Sequence, residues 1–418
     1  MLSTLRDAWK IPELRGKIIF TLIMLFVYRL GTFIPVPFID TAVLAEYIND
    51  GGMLSLFDIM SGGNFSNFTI FAMSITPYIN SSIIMNLLTF AIPALERLAK
   101  EGEEGRKKIT QYTRYLTIVL AIIQALGMTL SFQGVMTEKT WSTVAIVVLV
   151  ITAGTAFLMW LGEQITENGI GNGISLIIFV SIISRLPHGI AALLEYVRVG
   201  TLNWFSLVLF LLFAIVVIVM VVAVQEGQRK IPVQYSKRVV GRKMYGGQST
   251  HIPLKVNMAG VIPVIFASSI TMFPATLANF FPNSNIANWI AGAFGWGTTF
   301  TTIMYVILII AFTYFYTAIT FNPIEVANNM KKQGGFIPGI RPGKPTVDYF
   351  NKSVTRLTLF GGVFLALIAT IPIIVGNMMN VNLQFGGTSL LIVVGVAIES
   401  VKQLESQMMM RHYQGFLK

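Results

Sequence analysis

The sequence predicts an all-α integral membrane protein, with ten transmembrane helices arranged as two halves of five. Three observations carry that reading. First, 54% of the 418 residues are hydrophobic and only 12% are charged, against about 25% charged in a soluble domain, so most of the chain faces lipid. Second, the apolar runs are unbroken over roughly twice the ~10 residues of a barrel strand, which leaves helices as the spanning element. Third, Lys and Arg collect in alternate loops.

The spans start near Ile18, Phe68, Tyr115, Trp141, Gly173, Trp204, Asn257, Thr301, Leu357 and Val381. The first runs into Ile34-Pro35-Val36-Pro37 rather than into a small-residue cleavage site, so it is read as a retained span and not as a signal peptide. Lys10, Arg15 and Lys17 precede it, whereas the loop after it carries Asp40, Glu46, Asp50 and Asp58 and no Lys or Arg. That asymmetry puts the N-terminus inside. The register holds through Arg97 to Arg114 before the third span, Arg229 to Lys255 after the sixth and Lys331 to Lys344 after the eighth. Pro282 to Gly297 and Gly376 to Gln384 are uncharged, as translocated loops should be. Ten spans return the C-terminus to the inside, and the halves are residues 1–199 and 200–418.

The net charge of +11, from 30 Lys and Arg against 19 Asp and Glu, lies largely in two basic loops, 225–256 and 329–353. In the first, Arg229 to Tyr235 and Gln248 to Leu254 flank Gly246-Gly247 and read as a basic hairpin, longer than a topology signal needs. In the second, Pro338-Gly339-Ile340-Arg341-Pro342-Gly343 makes a turn-rich tip carrying one Arg. A docking surface is the expectation for the first, and a solvated loop competes evenly for the second.

No enzyme is predicted. His188, His251 and His412 fall in loops or the tail, there is no Cys, and the span centres are nearly free of ionisable residues. No triad, metal cluster or cofactor site can be assembled from that set. Gly169-Ile170-Gly171-Asn172-Gly173 has no strand before it and no Lys-Ser/Thr after it, so it reads as a helix entry and not as a phosphate cradle. Energy for moving any substrate must come from a partner or a gradient.

The fifth span opens Gly173-Ile174-Ser175-Leu176-Ile177-Ile178 and the tenth Gly387-Thr388-Ser389-Leu390-Leu391-Ile392, entering from opposite sides. Pro77-Tyr78-Ile79 in the second span echoes Pro263-Val264-Ile265 in the seventh. These pairs predict an inverted repeat with the pathway between its halves. Ile75 with Ile79, and Ile174 with Ile178, share helix faces. Together with Ile265 and Ile392 they can form an apolar constriction that closes by dewetting. Met53 to Phe65 is apolar yet too short to cross the membrane, so either an outside loop or a re-entrant stopper fits it.

The motifs Ile75-Thr76-Pro77-Tyr78-Ile79, Gly169 to Ser175, Gln248 to Asn257, Pro338 to Gly343 and Phe385 to Ile392, in one order along the chain, resemble the SecY family. These are the channel subunits of the general bacterial protein translocase. The resemblance implies an hourglass pore in the plasma membrane, crossed by unfolded preproteins and opening sideways so that signal sequences and membrane segments reach lipid. It implies that Ile75, Ile79, Ile174, Ile178, Ile265 and Ile392 are the pore ring. Residues 53–67, with Leu56, Phe57, Ile59, Met60, Ser61, Gly62 and Gly63, become its plug. Asn80 and Gln124 become polar groups of the lateral gate, and Arg242, Lys243 and Arg341 a docking site for the motor ATPase SecA or the ribosome. Small membrane subunits, SecE and SecG, are implied by the resemblance alone. The tail ends at Gly415-Phe416-Leu417-Lys418, shorter than in some relatives. The competing expectation is a secondary transporter of a small solute, which shares inverted repeats and broken helices but needs a polar midplane site.

Overall fold

The structure, a computed structural model, describes residues 2–41, 58, 61–200, 203–235, 238–240, 243–245, 249–278, 284–295, 298–379 and 387–415. It opens with α1 (Leu2–Trp9) and α2 (Pro12–Gly31), the latter begun by a proline whose missing N–H is one that no helix start can use. A turn-rich segment, 61–75, leads into α3 (Thr76–Ala91) and α4 (Pro93–Lys100), with Pro77 and Pro93 each in the first turn. Then come α5 (Glu103–Ser131), α6 (Trp141–Asn168), α7 (Gly173–Arg198) and α8 (Trp204–Glu226). Four strands follow: β1 (Gln228–Tyr235), β2 (Arg238–Val240), β3 (Lys243–Tyr245) and β4 (Ser249–Lys255). The chain ends with α9 (Ile262–Ala278), α10 (Asn285–Ala293), α11 (Thr299–Thr320), α12 (Pro323–Lys332), β5 (Gly335–Phe336), α13 (Lys344–Met379) and α14 (Gly387–Gly415).

Among the described residues, 7 helical stretches are long and apolar enough to cross a membrane, and α3 with α4, bent by 100°, makes an eighth. The expected first and seventh spans correspond to α2, which carries Glu13, Arg15, Lys17 and Arg29, and to the shorter apolar α9. Several expected starts move. The second helix begins at Thr76, not near Phe68, because Phe68 and Ser74 take positive φ and residues 61–75 fold as turns. The third begins at Glu103 and the ninth at Lys344, both ahead of the apolar run, since hydropathy marks the lipid-facing stretch and misses the polar turns leading into it. The ninth also extends to Met379, into the stretch read as a loop, and α10 occupies part of the loop read over 282–297. The expected start at Val381 and the Gly246-Gly247 turn lie outside the described residues.

One apolar core runs through the centre, with Tyr28 of α2, Leu158 of α6, Val221 of α8, Tyr305 of α11 and Leu365 of α13 all essentially inaccessible. Around it, α5 packs on α3 and α6, and α13 packs on α11 and α14. Among the described residues, the N- and C-terminal halves meet where α1 and α7 pack on α14 and where α3 packs on α9. A second core, with Phe68, Ala125 and Ile151, joins segment 61–75 to α5 and α6. A third lies under the strands: β4-β1-β5 form a sheet, and Ile231, Val233, Ala327, Met330 and Phe350 join it to α12 and α13. The expected basic hairpin is therefore present as β1 and β4, paired from Gln228↔Lys255 to Gln234↔Ser249, with the β2/β3 ribbon inserted between them.

Candidate functional site

The isoleucines singled out by the sequence converge. Ile75 caps the start of α3 and Ile79 lies on its first turn; Ile174 and Ile178 sit on α7, Ile265 on α9 and Ile392 on α14. Five of them are buried in the central core, none more than 6% exposed, and Ile174 packs against it partly buried. Four helices, two from each half, thus contribute isoleucines to one apolar core.

Two of the helices carrying them, α7 and α14, begin at closely packed glycines. Asn172 caps α7, its side chain accepting from the Ser175 N–H at 3.2 Å, so Gly169 to Gly173 is indeed a helix entry. A Cβ at Gly173 would stand 2.0 Å from the Gly162 carbonyl oxygen of α6; one at Gly387 would stand 1.8 Å from the Ile368 carbonyl oxygen of α13. Only glycine permits either approach.

Of the residues expected to form a plug, Leu56, Phe57, Ile59 and Met60 lie outside the described residues, while Ser61, Gly62 and Gly63 are buried. They rest on α7 beyond the isoleucines. A Cβ at Gly62 would come within 2.9 Å of Ser181 Cα, and Ser181 is three residues from Ile178, about 4.5 Å along the helix. Asp58 is ion-paired with Arg185 of α7, whose Nη2 also donates to Ser66 Oγ at 2.9 Å. The Tyr28 and Ser181 hydroxyls are bonded at 2.6 Å, and Asn64 Nδ2 donates to Tyr28 at 3.2 Å.

Arg185 is thus an ionisable residue within an apolar helix, and Arg114 is another, its Nε 2.8 Å from Glu163 Oε1 between α5 and α6. The expectation of spans nearly free of charge passes over both pairs. The interrupted apolar runs around Arg114 and Arg185 are the signal that could have found them. Tyr28, Asn64 and Ser181 gave no sequence signal, because each is an ordinary residue of an apolar or loop stretch.

Asn80, 9% exposed, lies on α3, and half-buried Gln124 lies on neighbouring α5. The seam opposite them is closed by α3 on α9 and by Phe90 of α3 against Phe315 of α11, ring centroids 6.0 Å apart in an edge-to-face pair. On the sheet side, Arg341 is exposed on a turn where Gly339 and Gly343 take φ of 81° and 106°. Thr346 Oγ1 donates to the Arg341 carbonyl at 2.9 Å and fixes that turn. Lys243 stands in β3, and Arg242 lies outside the described residues. Among the described residues no cluster of three His, Asp or Glu side chains is placed to hold a metal.

The SecY family model matches residues 69–401. The chain belongs to the SecY family. Proteins named protein translocase subunit SecY in Halalkalibacterium halodurans and Bacillus subtilis are 47% identical to it, and the one in Aquifex aeolicus 44%, each over 100% of both chains. Among solved structures, a protein-conducting channel matches with a TM-score of 0.66 at 19% identity, over 94% of this chain and 92% of the other. Sec61 of a canine ribosome-channel complex matches with a TM-score of 0.62, over the same shares. The SecY fold is therefore that of these channels, although the identity is low.

Proposed function

We propose that the chain is the protein-conducting channel of a bacterial plasma membrane, passing unfolded secretory polypeptides through its isoleucine waist. The observation that carries this is the convergence of Ile75, Ile79, Ile178, Ile265 and Ile392, from four helices of two halves, in one buried core. An apolar collar of flexible side chains denies ions a hydrated path and parts around a wide, featureless substrate. Ten spans in two inverted halves of five account for the paired starts: Gly173 of α7 against α6 and Gly387 of α14 against α13 make the same carbonyl approach at corresponding helices. With both termini cytoplasmic, Ser61 to Asn64 lie on the outer side of the ring as a plug, and the sheet faces the cytoplasm.

The seam between α3 and α5 on one side and α9 and α11 on the other is the lateral gate, where Asn80 and Gln124 offer polar groups to an entering signal sequence. The sheet and the Arg341 turn, joined in one packed unit, are the docking face for SecA or a ribosome, which supplies the energy. SecE and SecG complete the membrane complex. The solute-carrier alternative gains no support: the relatives are translocase subunits, and isoleucines occupy the place of a polar site.

Because the chain has no Cys, crosslinking tests this directly. Ile392→Cys, in the ring, should form a disulfide with a single Cys in a stalled secretory polypeptide when motor and ATP are present. Met220→Cys, on the exposed face of α8, should not. Equal or absent crosslinking at the two positions would reject the pathway.

A further inference from the structure

No Asp, Glu, Lys, Arg or His occurs between Lys255 and Glu325, so the connection between α9 and α11 is as uncharged as the helices it joins. The connection between α5 and α6, read as lying on the same side of the membrane, instead carries Glu138 and Lys139 and exposes both. Within the uncharged stretch stands α10, a helix of 9 residues. It packs on α9, with Ala287 buried and Ala291 half-buried on one side. At 3.6 residues per turn, Asn285, Ile286, Trp289 and Gly292 fall on the other side, and all are exposed, Ile286 by 72% and Trp289 by 71%. The end of α10 is fastened to α11. Thr301 Oγ1 donates to the Ala293 carbonyl at 3.0 Å, and Thr298 Oγ1 stands 3.1 Å from the same oxygen. Phe294 packs edge-to-face on Phe300, ring centroids 5.4 Å apart.

We infer that the exposed face of α10 is seated in the outer leaflet of the bilayer, with Ile286 among the acyl chains and the Trp289 indole at the headgroups, anchoring the outer ends of α9 and α11 together. This rests on the membrane topology of the reading above. A helix face turned to water is ordinarily polar, whereas the centre of this one is Ile and Trp with no ionisable residue to solvate it. Continuity says what covers it. Phe273 of α9 and Phe300, Ile303 and Ile307 of α11 are exposed as well, on the lipid-facing surface of the two helices that α10 joins, and α10 extends that surface at its rim. Tryptophan suits such a rim, because its ring buries apolar area while its N–H keeps a polar partner among the headgroups. Since α9 and α11 form one side of the proposed lateral gate, the anchor grips that side at its outer end, opposite α3 and α5.

The absence of Cys allows a single label to read the depth of α10. Gly292→Cys suits it, because nothing lies within 4 Å of a Cβ there and Ile286 and Trp289 stay in place. The channel, with its membrane partners, is placed in phosphatidylcholine proteoliposomes. A spin label at position 292 should be relaxed by oxygen more than by a water-soluble nickel chelate, at a depth of about 5–10 Å below the phosphates. A label on Lys139→Cys should show the reverse, and in right-side-out vesicles an impermeant thiol reagent should reach it. Ile286→Ser with Trp289→Ser changes only exposed side chains, so the fold should survive while the label at 292 rises into water and its nickel relaxation climbs to that at 139. Because the face is uncharged, the depth should be the same with and without phosphatidylglycerol, and at low and high salt. A label at 292 as open to nickel as that at 139 would put the face in water. One shielded from oxygen and nickel alike would put protein over it. Either result overturns the anchor, as does insertion that needs anionic lipid or that survives the double substitution. If the reagent reached position 139 only from the cytoplasmic side, the topology itself would fail and the anchor with it.

Discussion

At the scale of single residues, two kinds of position behave differently. Ile265 and Ile392 are buried at 6% and 2% exposure with apolar neighbours, so an amide there gains no partner and would hydrate the proposed collar. Ile265→Asn and Ile392→Asn should therefore raise idle ion conductance and admit precursors with weakened signals; conductance equal to the parent's would withdraw the ring assignment. The glycines act through the fold instead. Gly387→Ala puts a methyl 1.8 Å from a carbonyl oxygen, whereas nothing lies within 4 Å of a Cβ at Gly16. The first should cost about 1–3 kcal/mol and lower the Tm in detergent, and the second should hold or raise it, because alanine is the better helix former. Equal effects at the two sites would mean that the close approach is not a constraint. The isoleucines were legible because spacing by four on paired motifs marks a face. The Asp58–Arg185 and Tyr28–Ser181 pairings were not, because they arise only when residues 127 and 153 apart in sequence meet.

At the scale of elements, the two basic loops become one body. β5 pairs with Gln234 and Tyr235 at the end of β1, and Phe350 of α13 is wholly buried beneath the sheet. Phe350→Ala should cost about 3–5 kcal/mol of that unit's stability and expose residues 329–343 to a protease, with the helices intact; an unchanged digestion pattern would show the loops to be independent. Arg341→Ala touches no core residue. It should leave digestion and Tm unchanged while weakening ribosome binding and flattening its salt dependence by about 1 in the log-log slope. A full salt slope after the substitution would put the docking contact elsewhere. Strand patterning and Gly-Pro turns made both loops visible in sequence, but not their union, since a pairing of two residues carries no local signal. Spanning helices were legible wherever an apolar run filled them. Their polar extensions at Glu103 and Lys344, and the 100° break between α3 and α4, were not, because hydropathy reports the solvent around a helix and not where the helix ends.

At the scale of the whole molecule, the halves are joined unequally, and this sets the direction in which the structure can part. Along α7 and α14 the join continues into the core of Ala8, Leu14, Ile170 and Leu404, where α1, α2 and α14 pack together. Along α3 and α9 it is a single line of contact, extended to α11 by Phe90 and Phe315. Phe90 is 72% exposed, so its ring gains little from burial and mainly bridges the seam. An edge-to-face aromatic pair is worth about 0.5–1.5 kcal/mol beyond its area, small enough for an entering apolar segment to replace. Phe90→Ala and Phe315→Ala should each speed the insertion of weakly hydrophobic signal sequences by roughly two- to tenfold, and the double variant should match the larger single effect. Strongly hydrophobic signals, which already outcompete the clasp, should show little change, and so should ion tightness, which the proposed isoleucine ring would hold. If both classes of signal sped up alike, the pair would be acting on the ring; if neither did, the seam would open without passing through this contact.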